Sequence, residues 1–254
     1  MVNKVSISKI ELADEIRRTS VVVNSSKPIT NATLGITDVA LNGLIDDALL
    51  RGFASDHGIG VTTGAVSSEL QRIVRLRGGA PAYATWLKET RQSDDDVRVL
   101  ASRVLTMQAV RQLVLQDVPT SAEYVRLLQI VVASEAEARD IVAQLAAGAE
   151  FSVTAQNKSL DAATRSTGGD LGWFFLDDTA PGALAWPEIE TAAVHLPDGA
   201  LAGPIRTAIG FHLIKLVGRN VRSIAPDDFA RLSAATFGHW FEKLKSNAHI
   251  IRYP

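Results

Sequence analysis

Apolar positions along this chain recur with two different periods. Before about residue 120 they fall at three- and four-residue steps, the spacing of amphipathic helices. From Asp38 to His57 the stripe is Val39, Leu41, Leu44, Ile45, Ala48, Leu49 and Phe53, and Gly58 stands where a helix would stop. A second helix is predicted over Thr63–Arg77, carrying Val66, Leu70, Ile73, Val74 and Leu76 and ended by Gly78–Gly79. A third covers Pro81–Thr90 and turns Tyr83, Trp86 and Leu87 inward. Ser93 is a good N-cap, Asp94–Asp96 suit the positive end of a helix, and a long stripe then runs from Val97 to Leu115 before Pro119. At the start of the chain, Val2–Ile10 alternates as a short strand and Glu11–Arg18 is helical. The polar stretch Ser20–Thr37 reads as a loop.

After residue 120 the pattern shortens. Val125–Val132 is an apolar run of strand type, Ala138–Leu145 returns to helical spacing, and Phe211–Val217 is again a strand, with His212 at its start. Gly168, Gly169 and Gly172 lie within five positions and shape a loop, in which Asp170 can bond backbone amides. Leu171, Trp173 and Phe174 then enter a core. Pro226–Asp228 opens a helix bearing Phe229, Leu232, Thr236, Trp240 and Leu244, and His249–Tyr253 reads as a strand.

Read together, Val125–Val132, Gly148–Ala149–Glu150–Phe151, Ser159–Leu160–Asp161, Gly168–Gly172, Trp186–Ala193, Gly203–Pro204–Ile205 and Thr207–His212 stand in the order of a parvulin-type (rotamase) peptidyl-prolyl isomerase domain. The stretch from Tyr124 to Gly218 resembles that family. The preceding helices, with Leu44–Leu50 followed by His57–Gly58–Ile59, resemble the helical module of SurA-like and PrsA-like foldases. The resemblance implies an α+β fold in which a parvulin-like domain, a small antiparallel sheet with surrounding helices, is inserted in a mostly helical chaperone-like domain. The expected division is 1–120 helical, 121–220 rotamase, and 221–254 returning as helix and strand to complete the first domain. The terminal strand would pair with Val2–Ile10.

Composition narrows the chemistry. The 254 residues are enough for two modest cores. A net charge of -2 supplies no basic field for nucleic acid, and the absence of cysteine excludes disulfides, thiolate metal sites and a thiol nucleophile. His57, His195, His239 and His249 show no metal-ligand spacing. No stretch approaches the ~20 apolar residues of a membrane helix, and Met1–Val22 lacks the apolar core of a signal peptide. The expected location is periplasmic or cell envelope by resemblance, with a cytoplasmic one open.

The resemblance also implies a reaction. An X-Pro bond interconverts over a barrier of ~18–20 kcal/mol because twisting the amide sacrifices resonance. A protein lowers that barrier by seating proline in an apolar cup, stripping water from the carbonyl and bonding the twisted form, without cofactor or metal. By resemblance the polar ring is His212, Asp161, Gln129 and Thr207, and the substrate-binding cup is Ala185, Ile189, Phe211 and Ile209. Three positions depart from the family. Gln129 stands where a histidine usually faces His212, and Ala185 and Ile189 stand where methionine and phenylalanine are usual; the implied function remains that of an isomerase, with weak or lost activity open. Each residue also has a structural reading: His212 as a bonded strand-start histidine, Asp161 as a turn cap, Gln129 as a bond partner. The implied clients are unfolded or proline-containing polypeptides, and a homodimer stays open. No lysine or arginine cluster favours a phosphorylated residue before proline. The alternative function is a non-catalytic chaperone or peptide-binding protein with a degenerate rotamase domain.

Overall fold

The computed structural model describes residues 2, 6–24, 32–177 and 182–251. Its contacts divide the chain into two compact units, Met1–Gln116 with His239–Pro254, and Asp117–Gly238.

The first unit is built from α1 (Lys9–Asn24), α2 (Ala32–Asp56), α3 (Thr63–Leu76), α4 (Ala80–Glu89) and α5 (Asp94–Val114). Helix starts follow the capping chemistry. Ser93 Oγ accepts from the Asp96 amide at 3.1 Å while the Asp96 carboxylate accepts from the Ser93 amide at 2.9 Å, a reciprocal box that opens α5. Ser8 and Glu11 exchange the same pair of bonds at 3.1 and 2.7 Å. That box starts α1 at Lys9, which shortens the expected strand over Val2–Ile10. Of its residues, 3–5 lie outside the described ones, and its pairing consists of one antiparallel bridge from Val2 to Ile250. The expected strand His249–Tyr253 is likewise confined to that bridge, residues 252–254 lying outside the described ones.

The loop expected over Ser20–Thr37 is narrower than its polarity suggested. Helix α1 runs to Asn24 and α2 begins at Ala32, with 25–31 outside the described residues. The mid-range propensities of Val and Thr do not stop a helix, and a single Gly35 costs only about 1 kcal/mol. In this unit Ile45, Ala48 and Leu49 pack with Val2 and Leu244, and Leu70, Tyr83 and Val97 form a second cluster.

A charged network joins α1 to α5. The Asp96 carboxylate receives Arg17 in bidentate fashion at 2.7 and 3.0 Å and Arg18 at 3.1 Å. Glu15 receives Arg103 at 2.9 Å and Arg18 at 3.1 Å. The Arg17 guanidinium, together with the Ser93 bonds and Arg18, outweighs burial and holds the Asp96 carboxyl well below the usual carboxylate range.

The second unit is a four-stranded antiparallel sheet among helices, the α+β arrangement expected. Its elements are β1 (Ser121–Val132), α6 (Glu135–Ala146), α7 (Phe151–Lys158), β2 (Asp170–Phe174), α8 (Pro187–Val194), β3 (Leu201–Thr207), β4 (Gly210–Ser223) and the first turns of α9 (Pro226–Ser246). The strand order is β2-β1-β4-β3. Because side chains alternate across a strand, the pairing Gln129↔Ile214 and Val131↔His212 assigns the two faces. Ile130, Val132 and Leu213 face α6 and α7 and pack on Ile141, Phe151 and Ala155. Leu127, Ile214 and Leu216 face the other way and pack on Ile189, Ala193 and Leu196 around α8. Tyr124 ties in α9, its hydroxyl donating to Asp228 at 2.8 Å and accepting from the Ala225 amide at 2.9 Å.

Candidate functional site

The α8 face of the sheet carries polar side chains where a core would carry apolar ones. Gln129 on β1 and His212 on β4 project from it, with His212 fully buried. Two close backbone approaches set their positions. The Gly169 carbonyl accepts from the Gln129 amide at 2.8 Å, and Gly169 has φ +83° with its missing Cβ site 2.1 Å from the Gln129 carbonyl oxygen, so only glycine fits there. Gly203, at φ +127°, stands in the same relation to the His212 carbonyl, whose oxygen would lie 2.5 Å from a Cβ.

The side chains form one directed chain of bonds. A carboxylate only accepts, so the Asp161 Oδ2 partner of Gln129 at 2.7 Å is the amide Nε2. That turns the Gln129 carbonyl oxygen toward His212 Nδ1 at 3.3 Å, which therefore carries the proton and donates. His212 Nε2 is then the acceptor, and Thr207 Oγ1, 2.9 Å away, donates to it. Burial pushes the His212 imidazole below its ordinary pKa, and the negative charges of Asp161 and Glu188 oppose that only partly, so the ring is neutral at pH 7. For Asp161, burial alone would raise the carboxyl. Bonds from Thr164, Gln129 and the amides of Ala163 and Thr164 outweigh it and bring the group below its usual value.

The middle of this chain is closed and its ends are open. His212 and Gln129 are buried, whereas Asp161 and Thr207 are half-buried. Exposed Leu160 and Ile209 flank the ends, and half-buried Leu171, Trp186 and Ile205 pack on the cluster below. The Trp186 ring lies 6.3 Å from that of His212.

The chain is similar to known proteins over this unit. Residues 131–218 match the family described as rotamase, PPIC-type PPIASE domain. The chain carries a parvulin-type rotamase domain. Across 102 residues, 40% of this chain and 31% of the relative, it is 39% identical to the foldase protein PrsA of Caldanaerobacter subterraneus. It is 33% identical over 111 residues, 44% of this chain and 38% of the relative, to a parvulin-like PPIase of Rickettsia conorii. The chain thus spans about a third of the length of the curated relatives it matches. In fold it is similar to the crystal structure of peptidylprolyl isomerase (PrsA) from Bacillus cereus, with a TM-score of 0.58 at 19% identity over 99% of this chain and 94% of that one.

Within the rotamase domain the four polar positions read from the sequence, His212, Gln129, Asp161 and Thr207, meet in one network. The four apolar positions do not meet. Ile209 is exposed beside Thr207, to which its amide donates, and Ala185 is exposed ahead of α8. Ile189 is 2% exposed inside the α8 core, so it supports the rim from beneath. Phe211 is the correction: alternating with His212 along β4, it faces the opposite side of the sheet and packs on the α6–α7 cluster. Sequence reading passed over Trp186, Leu171 and Ile205 as rim residues, and Thr164, which donates to Asp161. Asp170, read as structural, accepts from the Gly172 amide at 2.9 Å and pairs with Arg126. Among the described residues no cluster of three histidine, aspartate or glutamate side chains could hold a metal, and no helix is long and apolar enough to cross a membrane.

Proposed function

We propose that this protein is a peptidyl-prolyl cis-trans isomerase acting on X-Pro bonds of unfolded or partly folded polypeptides. The observation that carries the reading is the directed chain Thr207–His212–Gln129–Asp161, neutral at every link but the last and opening at both ends onto an apolar rim. Planar and twisted amides differ in how their oxygen and nitrogen accept hydrogen bonds, and the twisted form has lost the resonance that stiffens the planar one. Asp161 and Thr207 stand where a bound peptide meets the network. The buried pair between them fixes their protons and orientation, so these groups need little reorganisation as the amide turns. Ala185, Leu171, Trp186 and Ile205 exclude water from the prolyl ring, and no bond is made or cut.

Gln129 supports this role without the charge of an imidazole. It donates to a carboxylate and accepts from His212 at once, which a neutral histidine also does with its two ring nitrogens. The match to a PPIC-type domain and the 39% identity to a protein named as a foldase support the same class. The helical unit, like the SurA-like and PrsA-like modules it resembles, we read as a holder for extended clients, and the location as the cell envelope. The test is acceleration of a refolding reaction limited by a proline isomer, with the full chain as catalyst. Wild type is expected to speed the slow phase and Gln129→Ala to lose at least tenfold of that effect. An unchanged slow phase at a stoichiometric amount of wild-type chain would refute the proposal.

A further inference from the structure

The segment before α8 is held by a charge that takes no part in the network. Glu190, in the first turn of α8, is 6% exposed, and its carboxylate points back at the chain that precedes the helix. One oxygen accepts from the amides of Gly182 at 3.1 Å and Ala183 at 3.2 Å. The other accepts from Gly182 at 3.0 Å and Leu184 at 3.2 Å. Three successive amides converging on one anion form the concave nest that elsewhere captures phosphate, and here a carboxylate of the same chain fills it. Gly182, at φ +106°, supplies the backbone conformation that lets the first of them turn inward. The Glu190 amide meanwhile donates to the Trp186 carbonyl at 3.1 Å. The residue therefore grips both ends of a short closed segment, which carries exposed Ala185 and Trp186, whose ring centroid lies 6.3 Å from that of His212.

We infer that Glu190 is a positioning residue for the isomerase, a carboxylate latch that fixes where Ala185 and Trp186 stand over the Thr207–His212–Gln129–Asp161 chain. The inference rests on the functional reading above. A rim held by one buried charge explains how the domain keeps a defined water-excluding edge with alanine at a position that offers little packing of its own.

The experiment compares wild type, Glu190→Gln and Ile141→Val as full chains. Glu190→Gln keeps the size but turns an amide NH₂ toward donors. It is expected to lower kcat/KM about tenfold on a Leu-Pro tetrapeptide, the loss falling on kcat, because a displacement near 1 Å suffices for an effect of that order. The Trp186 fluorescence, isolated by difference from Trp186→Phe, should shift in the same variant. Ile141→Val loosens the α6 side of the sheet, and at temperatures well below melting it should leave kcat/KM at the wild-type level. A Glu190→Gln chain that melts lower but keeps wild-type kcat/KM and an unshifted Trp186 signal overturns the latch. If wild type is inactive, the functional reading fails separately. The latch is then overturned should the amides of Gly182, Ala183 and Leu184 exchange with solvent at the same rate in wild type and Glu190→Gln.

Discussion

The chain contains two buried polar networks of opposite character. In the helical unit Asp96, Glu15, Arg17, Arg18 and Arg103 form a web of full charges whose partners are each other. In the rotamase domain Thr207, His212, Gln129 and Asp161 form a line of mainly neutral dipoles whose ends come to the surface. The charged web is paired within the fold, carboxylate to guanidinium, and so ties α1 to α5. The neutral line has a direction, a half-buried beginning and end, and apolar neighbours. Burial of polar groups by itself therefore does not mark a functional site; open ends do.

Removing the hub of the charged web gives the largest expected effect. Asp96→Ala takes from Arg17 and Arg18 the carboxylate they share, leaving Arg18, whose side chain is 11% exposed, with Glu15 alone, and also breaks the box that opens α5. Loss of one member of a buried pair costs about 3–5 kcal/mol, discounted here because Arg17 is 43% exposed. Denaturant titration should show that loss in the transition of the helical unit, while isomerase kcat/KM stays at the wild-type value. Parallel loss of isomerase activity would mean that the two networks are not independent.

Gly169→Ala strikes the other network through its backbone. A Cβ at φ +83°, 2.1 Å from the Gln129 carbonyl oxygen, forces β2 and β1 apart. Strain of this kind costs about 1–3 kcal/mol, and the displaced Gln129 should take activity down with stability. Stability falling while kcat/KM holds would show that the position of Gln129 does not matter.

These two sites differ in how far the sequence reveals them. Gln129, Asp161, Thr207 and His212 were legible through the family resemblance, which the glycine run Gly168–Gly172 and the order of the segments around it carry; the glycines themselves show only where the backbone must approach closely. Helix limits were legible wherever a cap was, at Ser93 and Gly58, and missed where a polar stretch turned out helical, at residues 20–24 and 32–37. The rim was the least legible part. Whether Phe211 or His212 faces α8 depends on strand register, and one step along β4 exchanges the two faces. The Glu190 contacts depend on where a loop returns, which no local pattern records. Asp96 was read only as part of the acidic start of α5, because its partners Arg17 and Arg18 lie almost eighty residues away in the chain.

Titration separates the networks without mutation. His212 has its folded pKa below the ordinary value near 6.5, so the unfolded chain binds the proton more tightly, and the contribution of His212 to stability is present above that value and lost as pH falls below it. Asp161 and Asp96, also held below their ordinary values, lose theirs only at more acidic pH. Between pH 6.5 and 5 the rotamase domain should therefore weaken, by at most about 1.4 kcal/mol per pH unit for one proton, while the helical unit does not. His212→Asn should flatten that slope. An equal slope in the variant would assign it elsewhere.

The smallest effect is expected at the open end. Thr207→Val removes a single bond to His212 Nε2 and one accepted from the Ile209 amide, about 0.5–1.5 kcal/mol of stability, with a several-fold loss of kcat/KM. If the loss were confined to stability, Thr207 would be a support for His212 alone.

The most direct measurement is exchange spectroscopy on a Leu-Pro tetrapeptide with a substoichiometric amount of the full chain. Wild type and Asp96→Ala should both produce cis–trans exchange peaks within the mixing time, and Gln129→Ala should weaken them about tenfold. A spectrum with wild-type chain that is indistinguishable from that of the peptide alone would contradict the assignment of isomerase chemistry to the neutral network.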